Sequence, residues 1–320
     1  MLEVVLGIDI GGTNTVFGLV DRNGNILTSD SIPTTGDDSA ESFFERVFKS
    51  FNEKFELVKD KYELKGIGIG APNANYYKGT IEHAPNLAWG FVNVLDIIKQ
   101  YTDLPAVLTN DANAAALGEM KFGAAKNMKH FIQITLGTGL GSGIVVNGDL
   151  VYGHDGFAGE MGHVRIDKNN RVCGCGRKGC LETVASATGI KRTVYELLAK
   201  MNDKSSLRDI PFNKLTSKNI HEAAVKGDVV ALEAFEYTGK VLGKAISDAT
   251  AYFSPEAVIL FGGLANAGDM IFEPVKRHME KNMMDLFKNK VQVLMSGLPS
   301  GDAAILGASA LIWHELNGEK

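Results

Sequence analysis

Residues 2 to 32 and residues 129 to 152 follow one plan: an apolar strand, a glycine-rich turn, a second strand, a turn and a third strand. The first copy reads LEVVLGIDI, Gly11-Gly12, NTVFGLVD, an Arg-Asn-Gly turn and NILTSDSI; the second reads KHFIQITLGTGLGSGIVVNGDLVYG. Sliding one onto the other places Gly137 on Gly11, Thr138 on Gly12 and Val145-Val146 on Leu19-Val20, with the second copy's hairpin turn two residues shorter. A repeated meander whose first turn is rich in glycine predicts a duplicated fold, in which two domains present matching phosphate loops across a cleft.

Strands and helices alternate around these copies. Phe43, Phe44, Val47, Phe48, Phe51 and Phe55 recur at three- and four-residue spacing, predicting an amphipathic helix from Asp37 to about Tyr62 whose Phe stripe is core. LKGIGIGA at 64 to 71 reads as a buried strand, followed by a Pro/Asn/Tyr/Gly-rich loop to about Pro85, a helix near 91 to 101 and the strand AVLTN. Helices are predicted near 183 to 201, 219 to 226, 228 to 253 and 269 to 288, with strands at AVILFGG and VQVLMSG and a last helix from about Asp302 to Leu316. The order argues for an α/β chain with mixed sheets. The expected boundary is a hinge near 120. Residues 1–120 then form an N-terminal domain completed by 302–320, and 121–301 form a larger C-terminal domain.

Length and charge narrow the function. At 320 residues the chain has room for about two domains of ~150 residues. A formal charge of -5 disfavours non-specific binding to nucleic acid or anionic membranes and suits a small-molecule substrate. The apolar stretch Leu2 to Ile10 is broken by Glu3 and Asp9 and is not a signal peptide, and no run approaches the ~18 residues of a spanning helix. The three cysteines, Cys173, Cys175 and Cys180, are a poor disulfide framework and a good metal cluster. A cytoplasmic location is expected.

Five patterns carry chemistry. Asp9-Ile10-Gly11-Gly12-Thr13-Asn14 places an acid at a strand end, glycines that let backbone N–H groups reach a phosphate, and a hydroxyl donor; a plain hairpin turn is the alternative. It is neither a Walker loop nor a dinucleotide fingerprint. Within Leu136 to Gly143, four glycines fall in the seven residues from Gly137, which is unfavourable in chain entropy unless amides face a ligand. Gly262-Gly263 ends a strand where a nucleotide could lie. Asn110-Asp111 joins the strand AVLT to a helix, so that Asp111 is either an N-cap or a base that takes a proton from a hydroxyl, or both. His163 with Cys173, Cys175 and Cys180 supplies four tetrahedral zinc ligands with no open position, and Glu160 and Glu182 flank that set as carboxylates suited to sugar hydroxyls.

DIGGTN at 9 to 14, APN at 84 to 86, NDANAAALGE at 110 to 119, LGTGLGSG at 136 to 143, GEMGH at 159 to 163 and CGCGRKGCLE at 173 to 182 together resemble the ROK family of sugar kinases and sugar-responsive repressors, above all its bacterial glucokinases. The resemblance implies an actin-like, RNase H-type fold, ATP-dependent phosphorylation of glucose at the 6-hydroxyl, a homodimer or higher oligomer, and a place in glycolysis. It implies Asp111 as general base, and Asn86, Asn110, Glu160, His163 and Glu182 on the other hydroxyls. His163 would also ligate a structural zinc with Cys173, Cys175 and Cys180. Gly11, Gly12, Thr13, Asn14, Thr138 and Gly139 would surround the ATP phosphates, Asp9 would help position Mg2+, and Gly263 would lie near the adenosine. The chain reads Ala71-Pro72-Asn73-Ala74-Asn75-Tyr76-Tyr77 where many relatives carry Pro-Gly, which leaves mannose, fructose or an N-acetylhexosamine as alternative acceptors and polyphosphate as an alternative donor. A repressor of the family would carry a helix-turn-helix domain ahead of the first glycine loop, and a non-catalytic sugar sensor would not need both phosphate loops and Asp111.

Overall fold

The computed structural model describes residues 1–34, 39–299 and 301–318. The chain opens with β1 (Leu2–Ile10), β2 (Asn14–Asp21) and β3 (Ile26–Pro33), an antiparallel meander. Helix α1 (Ala40–Phe55) follows, and its expected start at Asp37 lies outside the described residues. Its Ser39 cap accepts the Ser42 N–H, and Phe43, Phe44, Val47, Phe48 and Phe51 are buried, as the spacing predicts. Burying each Phe stabilises the unit by about 2 kcal/mol.

Strand β4 (Tyr62–Ala71) lies parallel to β1, with Asp9 opposite Gly70. The Pro/Asn/Tyr/Gly-rich segment holds a small antiparallel sheet of β5 (Ala74–Asn75), β6 (Thr80–Glu82) and β7 (Phe91–Asn93), and the helix α2 is confined to Val94–Ile98. The helix expected near 91 to 101 is therefore shorter: Phe91 to Asn93 pair with β6, and the Asn93 side chain caps what remains. Strand β8 (Ala106–Asn110) pairs parallel with β4 and runs into α3 (Asp111–Phe122).

The second meander comprises β9 (Phe131–Leu136), β10 (Leu140–Val146) and β11 (Asp149–Leu150). Val146 pairs with Asp149 across Asn147-Gly148, whose φ angles of 57° and 87° are the two positive values that a two-residue hairpin turn requires. Then come α4 (Ala187–Lys200), α5 (Ser217–Val225), α6 (Val229–Phe253), β12 (Ala257–Phe261), α7 (Asp269–Asn282), β13 (Gln292–Met295) and α8 (Ala303–Leu316). The helix expected to reach 288 stops at Asn282 and gives way to a short 3-10 turn at Asp285–Phe287. Of the segment expected to complete the first domain, residues 319 and 320 lie outside the described residues.

The strand orders β3-β2-β1-β4-β8 and β11-β10-β9-β12-β13 repeat one topology, an antiparallel meander extended by two parallel strands. The chain folds as two compact units. One contains residues 1–128, 143–159 and 297–320, and the other contains residues 129–142 and 160–296. The stretch 143–159 thus groups with the first unit. Within that unit α8 lies directly on the sheet. A Cβ at Gly68 would fall 1.9 Å from the Ala308 carbonyl, and one at Gly7 would fall 2.3 Å from Ser309 Oγ. Among the described residues no helix is long and apolar enough to cross a membrane.

Candidate active site

In the first unit the parallel strands end side by side. Asp9 on β1 pairs with Gly70 on β4, Gly70 with Thr109 on β8, and Ala71 with Asn110. Ligands of α/β sheets bind at this end of the strands. A Cβ on Gly70 would come within 3.1 Å of Asp9 Oδ1 and 3.7 Å of Asp111 Cα, so glycine leaves the two acids room to face one another.

The helix cap is Asn110, not Asp111. Asn110 has extended backbone angles, and its side chain accepts the Ala112 N–H at 2.8 Å. Asp111 is the first helical residue, and its Oδ1 accepts the same N–H at 2.8 Å. The two neighbours share one donor, which fixes the Asp111 carboxyl at the helix start. Asp111 keeps exposed surface, yet enough protein surrounds it that desolvation pushes its pKa above the usual carboxylate range. Desolvation, with the charge of Asp111 second, pushes Asp9 up to about 7.

The first glycine turn is closed by the Gly11 N–H donating to the Asn14 carbonyl at 3.1 Å. Neither Gly11 nor Gly12 has positive φ, so space rather than conformation selects glycine here. A Cβ on Gly12 would strike Asn86 Cβ at 2.7 Å. Asn86 therefore packs on the turn, while Gly12, Thr13 and Asn14 remain exposed.

In the second unit His163 Nδ1 lies 3.6 Å from Cys173 Sγ, and Cys175 Sγ lies 3.7 Å from Cys180 Sγ; all four ligand atoms fall within 4.8 Å of one another. Zinc bonds of ~2.3 Å to sulfur and ~2.05 Å to nitrogen at tetrahedral angles require S···S edges near ~3.8 Å and S···N edges near ~3.5 Å. The two edges of 3.6 and 3.7 Å match those values. The knuckle is shaped by Gly176 and Gly179, at φ 84° and 80°, and by the Cys173 N–H donating to the Arg177 carbonyl at 2.9 Å.

Glu182 joins this knuckle to the second glycine turn. Its Oε2 accepts the Leu140 N–H at 3.2 Å, and its Oε1 lies 3.0 Å from Cys173 Sγ and 4.0 Å from His163 Nδ1. A Cβ on Gly139 would sit 2.5 Å from Glu182 Oε2. Thr138, Gly139, Cys173, Glu182 and the first turn of α4 line a cavity of about 260 Å³. Glu160, exposed, precedes the short turn Met161–His163. Gly262 is required by its φ of 98° and by Leu136, whereas a Cβ on the exposed Gly263 would touch no protein atom. The motifs identified Glu182 but not its contact with the second turn, because residues 139 and 182 meet only through the fold.

A ROK family glucokinase from Streptomyces griseus, solved with glucose and AMPPNP, superposes with a TM-score of 0.79 at 32% identity, covering 96% of this chain and 98% of that one. The duplicated sheets with their glycine turns are thus those of the actin-like ATPase fold of ROK sugar kinases. The ROK family model matches residues 5–315. The glucokinase of Halalkalibacterium halodurans is 35% identical over 318 residues, covering 98% of this chain and 96% of its own length. That of Thermotoga maritima is 36% identical, covering 98% of both. The chain belongs to the ROK family.

Proposed function

We propose that this protein transfers the terminal phosphoryl group of ATP to the 6-hydroxyl of glucose, with Asp111 as general base. That it is an ATP-dependent hexose kinase rests on family membership and on whole-length similarity to proteins named glucokinase. The observation that carries the Asp111 assignment is its carboxyl, held at the start of α3 beside the end of β8 with basicity raised by desolvation. A base of raised pKa accepts a hydroxyl proton more readily near neutral pH.

The remaining roles belong to the same proposal. Asn86, Asn110, Glu160, His163 and Glu182 bind sugar hydroxyls. His163 presents Nδ1 to the cysteines, which leaves Nε2 for the sugar. Gly11, Gly12, Thr13, Asn14, Thr138 and Gly139 surround the phosphates, and the open face of Gly263 takes the adenosine. Asp9 helps hold Mg2+, which supplies charge neutralisation when bound; the repulsion between Asp9 and Asp111 supports a cation there. Zinc on His163, Cys173, Cys175 and Cys180 is structural, since four protein ligands leave no open position. Backbone amides of the two glycine turns stabilise charge on the transferred group. A cytoplasmic homodimer acting in glycolysis completes the reading.

The test is a coupled ADP-release assay over a hexose panel with ATP or polyphosphate, beside Asp111→Asn. Glucose-dependent turnover that falls ~10²–10⁴-fold in the variant while glucose still binds supports the assignment. Preference for mannose, fructose or an N-acetylhexosamine would replace glucose, and an active variant would remove Asp111 as the base.

A further inference from the structure

Residues 151–159 lead from β11 toward the short turn Met161–His163 without helix or strand, and Gly153, Gly156 and Gly159 among them take φ angles of 72°, 90° and 93°. Three such glycines leave a loop loose unless side chains hold it. Asn75, fully buried at the end of β5, holds it from 80 residues away. Its Nδ2 donates to the Asp155 carbonyl at 2.8 Å, while its Oδ1 accepts the Tyr77 and Lys78 N–H groups at 3.1 and 3.2 Å. A Cβ on Gly156 would fall 2.7 Å from Asn75 Oδ1, so glycine there admits the Asn75 side chain as well as the backbone angle. The Tyr77 hydroxyl donates to the Gly153 carbonyl at 3.0 Å, and the Tyr76 ring stacks on Tyr152 with centroids 4.0 Å apart. Both segments belong to the first unit.

Asn73 makes a matching tie in the opposite direction along the chain. Its Nδ2 donates to the Glu82 and His83 carbonyls at 3.1 and 3.2 Å, and its own carbonyl accepts the Glu82 N–H at 3.1 Å. Asn86 stands three residues beyond His83, and Glu160 directly follows the loop that Asn75 and Tyr77 hold. We propose that Asn73, Asn75 and Tyr77 are positioning residues for the sugar: they fix the backbone that carries Asn86 and Glu160, and so set which pattern of hexose hydroxyls is accepted. This rests on the reading of Asn86 and Glu160 as sugar ligands.

None of the three side chains has to touch the sugar to act. Hydrogen-bond geometry at a hydroxyl decides between hexoses that differ only there, and a displacement of ~1 Å far from the reacting atoms lowers turnover by ~10²-fold. The three residues fall in the segment Ala71 to Tyr77, where this chain departs from the Pro-Gly of many relatives. A glycine after Pro72 would have no side-chain donor for the Glu82 and His83 carbonyls, so that tie is tuned by the departure itself.

The experiment measures kcat and KM for glucose, mannose and ATP in the wild type, Asn75→Asp and Tyr77→Phe, with hexose binding followed by calorimetry without nucleotide. Asn75→Asp keeps the acceptor for the Tyr77 and Lys78 N–H groups and removes the donor to Asp155. Tyr77→Phe removes one hydroxyl from an exposed side chain and keeps the ring. Asn75→Asp is expected to raise the hexose KM by ~10–100-fold and Tyr77→Phe by less. Both should change the glucose-to-mannose ratio of kcat/KM and leave the KM for ATP unchanged. An unchanged hexose KM in both variants, or a KM for ATP raised by the same factor, overturns the positioning role. If Asn75→Asp does not fold, Tyr77→Phe decides by the same criteria. A wild type that binds hexose without turnover rejects the kinase reading, and the variants' hexose affinities then decide the positioning role in place of KM. A wild type that binds no hexose rejects the sugar site and the positioning role with it.

Discussion

The backbone N–H of Leu140 donates to Glu182 Oε2 at 3.2 Å, which ties the second glycine turn to the segment that follows Cys180. The other oxygen of the same carboxylate lies 3.0 Å from Cys173 Sγ. One side chain therefore sets the position of a candidate phosphate loop from a metal knuckle. Removing such supporting groups changes metal affinity or activity by about 10–100-fold. Glu182→Ala, assayed with excess zinc, is expected to lose kcat/KM for ATP by about that factor. Wild-type kinetics for ATP in the zinc-loaded variant would separate loop and knuckle.

Gly139→Ala tests the same contact from the other side. Its Cβ would lie 2.5 Å from Glu182 Oε2, so the carboxylate must move. The expected loss is similar, and because the two residues share one interaction, the double variant with Glu182→Ala should be little worse than Glu182→Ala alone. Fully multiplicative losses would contradict it.

Stability should depend on pH through Asp9. Its folded pKa of about 7 stands above the ordinary 3.8, so the folded state prefers the protonated form. The penalty for the charged form is absent below about pH 4, grows as pH rises through 7 and then levels off. At ~1.4 kcal/mol per unit it reaches at most ~4 kcal/mol. Without Mg2+ and nucleotide, Asp9→Asn is expected to melt higher than the wild type at about pH 8 and equally at about pH 4, while losing turnover. A melting difference independent of pH would refute the desolvation argument.

Zinc removal should act on stability first. Structural zinc contributes folding free energy directly, and here it would crosslink residues 163 and 173–180. Chelation is expected to lower Tm by on the order of 10 °C, with recovery on adding zinc, and Cys175→Ser should reproduce part of the loss. A folded, fully active protein shown by elemental analysis to hold no metal would exclude this role.

Long, periodic elements were legible in the sequence. The Phe stripe of α1, both meanders and α8 follow from the spacing of apolar residues, and the His/Cys set from its glycine-punctuated spacing. Strands β5 to β7 were not, because two- and three-residue strands are too short to show a period. Asn110 and Asp111 are both good caps, and only the extended backbone of Asn110 decides between them. The pattern of α7 continues through Met283 and Met284, yet the backbone turns extended there and the helix ends. Asp167 and Arg171 sit in a polar run, IDKNNR, that reads as surface; α4 and α6 bury both residues.

The close seating of α8 on the sheet has a consequence for biosynthesis. Gly7 and Gly68 are notches in β1 and β4, and the helix that fills them is translated long after both strands. Until α8 leaves the ribosome, the face that receives Ile305, Ala308 and Ile312 is uncovered, so the core of the first unit closes only after residues 160–296 of the second unit have been synthesised.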